Sequence, residues 1–409
     1  MNVLFLSPAF PVEMNDYVRA LARTGARVLG VADRPESELP ADTRDALTAY
    51  LKVDRVLDAG NVLAAVRHWM QEHRIRFDRI EALWEPLVLV AAELREALSV
   101  PGMSVDVSRR FRDKEAMKRM LRDAGLRVPR SSRETSRQGV IEAATAIGYP
   151  VIVKPIAGAG SADTYRVDHP DAWSSVLDRL GHVPEVSVEE FIDGEEFTYD
   201  TLCVDGVPVY ENVAEYLPRP LIARTHEHRS PIIITRRDLD HPHLTDGIAL
   251  GRAVLSVLGM QTGLTHMEWY RTASGEAVFG EIGCRPPGAH LVDQMNFSHD
   301  GDLYLAWAQA VTGTPLDPLP PRSHACAIVF KRAHGSGHIS RVEGLADFLA
   351  EYGEHVVWQG LAEVGTPRRD WRQTLVSDGF LIVRHPEESM ALKIARLAAD
   401  RVQLYARDM

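Results

Sequence analysis

Val151-Ile152-Val153-Lys154-Pro155-Ile156-Ala157-Gly158-Ala159-Gly160-Ser161 is the stretch on which the fold turns. The apolar run reads as a strand, the glycines as a turn, and residues 163–167 as a second strand closing a hairpin. Glycines let backbone N–H groups approach phosphate oxygens closely, and Lys154 beside them adds positive charge. Alone, the same stretch also suits a plain hairpin with an exposed lysine. Asp163 stands where the last glycine of a dinucleotide fingerprint belongs, and the chain has no GxxxxGK[ST] loop.

Outward from this hairpin, Val188-Glu189-Glu190-Phe191-Ile192-Asp193-Gly194-Glu195-Glu196-Phe197 predicts strands over 186–191 and 197–204, joined by a turn at Asp193-Gly194. By itself it is a strand with an acidic rim. Residues 265–271 and 276–282 predict a hairpin around Ser274-Gly275, carrying Glu268 and Glu281. Carboxylates on paired strands can share one face and hold Mg²⁺, which prefers oxygen ligands. They also suit surface acids neutralised by Arg271 and Arg285. Upstream, residues 110–123 read as a charged helix with Lys114 in it, its buried side formed by Phe111, Met117 and Leu121, and Gly125 after it.

Before about residue 105, short apolar strands alternate with helical stretches, predicting a doubly wound parallel sheet. The first strand runs into Pro8-Ala9-Phe10-Pro11, without glycine, so nothing there supports a nicotinamide or flavin cofactor. Residues 215–240 read as a long polar loop and then a strand, 246–258 and 302–311 as helices, and 314–322 as a proline-rich boundary. Strands at 325–332, 355–359 and 379–383 and a helix over 388–405 follow. The expected fold class is α/β, with α+β character in the core. Residues 1–108 are expected to form a Rossmann-like domain, 109–313 the core and 314–409 a small α+β extension.

The chain has 409 residues, room for two to four units at roughly 100–200 residues each. Its charge, 46 − 57 = −11, argues against nucleic acid as a partner; an anionic ligand must be held by local cations and a divalent metal. Three scattered cysteines, Cys203, Cys284 and Cys326, suggest a reducing compartment and no zinc or disulfide framework. No signal peptide or membrane-spanning run is evident, so a cytoplasmic location is expected.

The order of Lys114, the Lys154 hairpin, the Glu189–Glu196 segment, Glu268 and Glu281-Ile282-Gly283-Cys284-Arg285 resembles the ATP-grasp superfamily over roughly residues 1–313, nearest its carboxylate–amine and amino-acid ligase branch. The resemblance implies two lobes in the core with a lid at about 129–190, and ATP and Mg²⁺, or Mn²⁺ in its place, as cofactors. It makes Lys114 and Lys154 phosphate contacts, with Lys154 also catalytic, and Gly158, Gly160 and Ser161 a lid over the triphosphate. Glu189, Glu190, Phe191 and Ile192 become the adenine hinge, Glu196 the ribose contact, Glu268 and Glu281 the metal ligands, and Arg285 the group facing the transferred phosphoryl. One departure stands out: Gly283 occupies a position that is usually asparagine in the family, so the second metal loses a side-chain oxygen. A non-catalytic nucleotide-binding module is the reading that Gly283 favours.

The implied reaction is amide or peptide bond formation through an acyl phosphate, with release of ADP and phosphate. A bicarbonate-phosphorylating carboxylase and a purine-pathway ligase share the core. The implied partners are a small carboxylate and an amine, amino acids among them, and the family analogy adds a homodimer. Arg219, Arg224 and Arg229 lie in the segment that borders the acceptor pocket in related ligases, where guanidinium groups suit capture of a carboxylate. Glu85, at the end of a strand, and Gly288 are further substrate candidates. His266 shares a strand face with Glu268, as a partner, a base for the amine, or a structural histidine. His226, His228, His241 and His243 read as polar loop residues, not metal ligands.

Overall fold

A computed structural model describes residues 1–156, 163–223, 225–227, 229–372 and 374–408. The glycine-turn residues Gly158, Gly160 and Ser161, together with Arg224 and His228, lie outside the described residues.

β1 (Asn2–Leu6), β2 (Arg27–Ala32), β3 (Ala49–Lys52) and β4 (Arg79–Glu81) form a parallel sheet in the order β3-β2-β1-β4. Strand order reverses between β1 and β4. The loops after these strands, bearing Phe10 and Glu85, therefore open where doubly wound sheets receive ligands.

β5 (Ser131–Glu134), β6 (Val151–Pro155), β7 (Tyr165–Val167) and β8 (Val186–Glu190) form an antiparallel sheet in the order β5-β8-β6-β7. Helices Arg137–Ile147 and Trp173–Arg179 cover it, burying Val140, Ala144, Val151, Trp173 and Val188 in a core of its own.

The rest of the chain supplies β9 (Glu195–Val204), β10 (Val207–Leu217), β11 (Ile232–Thr235), β12 (Gly263–Arg271), β13 (Ala277–Gly283), β14 (Ala325–Phe330), β15 (His338–Glu343), β16 (Val356–Leu361), β17 (Gly379–His385) and β18 (Gln403–Arg407). Eight of these join one antiparallel sheet, β13-β12-β9-β10-β11-β14-β17-β16, while β15 pairs with β18. Helix Pro242–Leu258 lies on one face, against Phe197, Tyr199, Met267 and Trp269. It can come that close because Gly247 and Gly251 face Trp269 and Tyr199, where a Cβ would collide with the rings. Helices Leu291–His299 and Leu303–Thr312 cover the other face, and helix Met14–Arg23 packs on Leu303–Thr312 from the N-terminal unit.

Several expected elements differ. β8 ends at Glu190 and β9 begins at Glu195, and the two strands belong to different sheets, with residues 191–194 carrying the chain between them. Residues 215–217, expected to open the long loop, are the end of strand β10, whose earlier part carries Pro208 at a register shift and Asn212, fully buried among hydrogen bonds. The charged helix expected from 110 breaks at Phe111 and restarts at Lys114. His241 and His243 open a helix: His241 caps it, with proline at its first position. The terminal helix stops at Arg401, since Gln403–Arg407 pairs with β15. The proline-rich 314–322 leads back into the central sheet through β14. Among the described residues, no helix is long and apolar enough to cross a membrane.

Candidate active site

Asp113 sets the position of Lys114. Its carboxylate accepts from the N–H groups of Glu115 (3.1 Å) and Ala116 (3.0 Å), capping helix Lys114–Asp123 so that Lys114 is its first residue. Arg133 holds the same carboxylate at 2.6 Å. Lys114 Nζ then lies 3.1 Å from Glu281. Lys154, near the end of β6, reaches Glu189 at 3.1 Å and Glu281 at 3.6 Å. Glu268 on β12 and Glu281 on β13 are direct cross-strand partners, at the edge of a bulge. Gly280 sits in that bulge, where a Cβ would lie 2.7 Å from the Glu268 carbonyl.

Glu196, at the start of β9, is buried and accepts from Arg219 at 3.1 Å. Arg219 also donates to the Ile192 carbonyl at 3.0 Å and lies 5.0 Å from the centre of the Phe191 ring. Arg166 lies 4.1 Å from the centre of that ring. The Glu190 carboxylate is held by Arg127 at 3.0 Å and by the Arg130 N–H at 3.1 Å. Lys114, Lys154, Glu189, Glu190, Phe191, Ile192, Glu196, Glu268 and Glu281 all line a single pocket, roofed by the β6–β7 sheet and floored by β12 and β13. Cys284, beside it, is buried, and burial pushes its thiol up to about 12, as expected of a packing residue.

Electrostatics divide these acids into two groups. Burial alone would raise Glu281, but Lys114 and Lys154 outweigh it and hold the carboxyl well below the usual range. Glu189 is likewise pulled down to about 2, against burial, by Lys118 and Lys154. Glu196 goes the other way, up to about 8, through burial and the nearby Glu268; Glu268 rises through burial and the charge of Glu281. The local cations do not cover the negative charge on this wall. A hard divalent ion between Glu268 and Glu281 would cover it. No group of three or more His, Cys, Asp or Glu suited to a metal exists among the described residues, so the remaining coordination would fall to water and phosphate, the habit of Mg²⁺. The donor set fits.

Four other side chains at the site escaped sequence reading. Lys118 is 1% exposed and ion-paired to Glu189, with Glu115 at 3.3 Å. It lies four residues after Lys114, on the same helix face, and that spacing was the available signal. Ser187 bridges this cluster, donating to Glu189 at 2.8 Å. Asp200 holds His266 Nδ1 at 2.6 Å, leaving His266 Nε2 3.9 Å from Glu268. The Tyr216 hydroxyl donates to Glu268 at 3.2 Å.

The remaining candidates scatter. Arg285 pairs with Glu85 at 2.8 Å, and Arg112 takes the other oxygen of Glu85. Both charges of Arg112 and Arg285 thus converge on one carboxylate beside Lys114, Glu281 and Gly283. Arg219 faces Glu196, not a separate acceptor pocket. Gly288 lines a larger cavity of about 1600 Å³ that shares Thr164 and Leu221 with the first pocket. Arg229 is exposed, its N–H donating to the His226 carbonyl at 3.3 Å. His243 pairs with Glu195 at 2.6 Å.

Residues 147–291, which include the hairpin, the hinge and both paired glutamates, match the family model of the ATP-grasp domain. The chain carries an ATP-grasp domain. Over 222 residues it is 27% identical to an L-arginine-specific L-amino acid ligase of Bacillus subtilis, covering 53% of each chain. The chain therefore spans about half the length of that relative. The L-amino acid ligase of Bacillus licheniformis has the same fold, with a TM-score of 0.76 at 19% identity and 99% of each chain covered. So has the biotin carboxylase domain dimer of a Hydrogenobacter thermophilus 2-oxoglutarate carboxylase, solved with MgADP, ADP and bicarbonate (TM-score 0.69, 15% identity, 98% and 90% covered). The ATP-grasp domain thus sits between a parallel-sheet N-terminal unit and the C-terminal strands of the central sheet.

Proposed function

We propose that the chain is an ATP-dependent carboxylate–amine ligase that forms an amide or peptide bond through an acyl phosphate and releases ADP and phosphate. One observation carries this reading: Lys114, Lys154, Glu196, Glu268 and Glu281 line one pocket with the 190–192 segment that links the two sheets. A set of fixed cations and acids around a triphosphate suits phosphoryl transfer, which needs positioning and charge neutralisation more than covalent chemistry.

In this reading Lys114 and Lys154 turn from Glu281 to phosphate oxygens. Glu196, held by Arg219, meets the ribose hydroxyls, and Phe191, between Arg166 and Arg219, lies along the base. Glu268 and Glu281 would hold Mg²⁺, which would supply charge neutralisation to the phosphates. Tyr216 and the Asp200–His266 pair fix the Glu268 carboxylate. Arg285, oriented by Glu85, faces the acyl group, where it steadies negative charge as a carboxylate oxygen takes the phosphoryl and an amine then displaces phosphate. The β6–β7 hairpin excludes water that would hydrolyse the mixed anhydride. A homodimer belongs to the same proposal.

A phosphate-release screen with ATP, Mg²⁺ and amino-acid pairs tests it. ADP formation that requires both members of a pair supports the ligase. Formation that depends on bicarbonate instead points to the carboxylase chemistry of the family, and silence across a broad panel would refute an enzymatic role.

A further inference from the structure

We infer that the cavity of about 1600 Å³ beside the nucleotide pocket binds a co-substrate that carries an anionic group besides the one that reacts, recognised by Arg34, Arg179 and Arg369. The inference rests on the ligase reading of the neighbouring pocket. The three arginines come from separate parts of the fold: the loop after β2, the end of helix Trp173–Arg179 in the small antiparallel sheet, and the loop between β16 and β17. They face the same space.

Among the described residues, the lack of a carboxylate partner sets them apart. Around the nucleotide pocket, arginines are spent on carboxylates: Arg112 and Arg285 on Glu85, Arg219 on Glu196, Arg127 on Glu190. Arg34 lies 5.1 Å from the centre of the Phe10 ring, and Arg179 lies 5.9 Å from that of Tyr165. Among the described residues, neither has a carboxylate within ion-pair distance, and neither does Arg369. The acids that line the cavity are occupied. Asp378 is buried and accepts from the N–H groups of Ala333 (2.8 Å) and Arg369 (2.9 Å). Asp163 meets His182 at 3.1 Å, and Glu13 accepts from the His290 N–H at 3.4 Å.

A chain of net charge −11 thus concentrates unpaired guanidinium groups in one cavity, next to a wall with an excess of acid. Guanidinium forks bind carboxylates and phosphates through paired, charge-assisted hydrogen bonds. A concave wall focuses their field on a small anion. The volume exceeds what a single amino acid fills, leaving room for the additional group at the far end. A second carboxylate and a phosphate monoester present the same chemistry here.

Calorimetry on the full chain saturated with Mg²⁺ and a non-hydrolysable ATP analogue, which keeps probes off the nucleotide site, tests this. The probes are L-glutamate against L-glutamine and O-phospho-L-serine against L-serine. At least one anionic probe should bind about 10–100-fold tighter than its neutral counterpart, as expected for one or more charge-assisted contacts. Preference for glutamate identifies the carboxylate, and preference for phosphoserine the phosphate ester. The triple variant Arg34→Gln, Arg179→Gln, Arg369→Gln should lose that preference with an unchanged circular dichroism spectrum. If the triple variant is unstable, Arg369→Glu alone should weaken the anionic probe and not the neutral one. Equal binding of charged and neutral probes, or a preference that survives both variants, overturns the inference. Absence of ADP release with every amino-acid pair, alongside an intact anionic preference, would instead strike the ligase reading alone.

Discussion

Lys118→Met should destabilise the protein by about 3 kcal/mol, although Lys118 was absent from every motif. Its ammonium is almost fully buried, paired with Glu189 and near Glu115. Breaking a buried pair from one side typically costs about 3–5 kcal/mol, because the other charge stays behind without its partner. Here Glu189 keeps Lys154 at 3.1 Å and Ser187 at 2.8 Å, which holds the loss near the lower bound. Glu189→Met should cost a similar amount, since Lys118 would retain only Glu115 and the Ser187 hydroxyl nearby. The double variant removes both buried charges, so its loss should fall short of the sum by about 2 kcal/mol. Urea unfolding followed by tryptophan fluorescence gives the three values. Losses that add to within about 0.5 kcal/mol would refute a buried Lys118–Glu189–Lys154 cluster. A functional consequence accompanies the structural one: without Lys118, Lys154 is drawn more strongly to Glu189, and affinity for the ATP analogue should fall several-fold.

Arg285→Ala should lower kcat by roughly 10²–10³ with little change in nucleotide affinity, as for loss of a group that meets developing charge; equal loss of both would count against its role. Gly283→Asn should lower the Mg²⁺ concentration needed for half-maximal activity, because a Cβ there meets only Arg285 atoms at 3.5 Å and 3.7 Å, an ordinary contact, and restores an oxygen beside Glu281. An unchanged Mg²⁺ requirement means that oxygen has no metal to reach. His299 is buried, its ring nitrogens have no hydrogen-bond partner among the described residues, and burial together with Arg322 pulls it down to about 4 from an ordinary value near 6.5. The unfolded chain therefore binds this proton where the folded one does not, and stability falls as pH drops from about 6.5 to 4, by about 3 kcal/mol across the window. His299→Phe should flatten that part of the pH–stability curve; a slope identical to the parent would show that the imidazole titrates normally.

The legible parts of the structure share a cause. β6, β12 and β13 and the Glu268–Glu281 pairing could be read because each is local, set by apolar alternation and by glycines at turns. β10 was missed because its polar residues are satisfied from far along the chain: Asn212 receives Arg322 and donates to Asp200. The 186–204 segment reads as two strands and a turn, and nothing local reveals that the two strands serve different sheets. At the site, charged residues at recognisable spacing were found. Those that matter through a partner were not: Lys118 needs Glu189 and Asp200 needs His266, and although Glu85 was legible, its hold by two arginines from distant segments was not. Arg34, Arg179 and Arg369, three of the four arginines that line the large cavity, are invisible in sequence for the same reason, since only folding brings them together with no carboxylate in ion-pair reach among the described residues.

Metal and triphosphate must meet between Glu268, Glu281 and the two lysines for this chemistry to occur. Crystals of the full chain grown with a non-hydrolysable ATP analogue and Mn²⁺ allow the metal to be located by anomalous scattering. A peak about 2.1 Å from oxygens of both Glu268 and Glu281, with phosphates between Lys114 and Lys154, is the expected result. A nucleotide bound elsewhere, or a filled pocket with no metal at those two carboxylates, would contradict it.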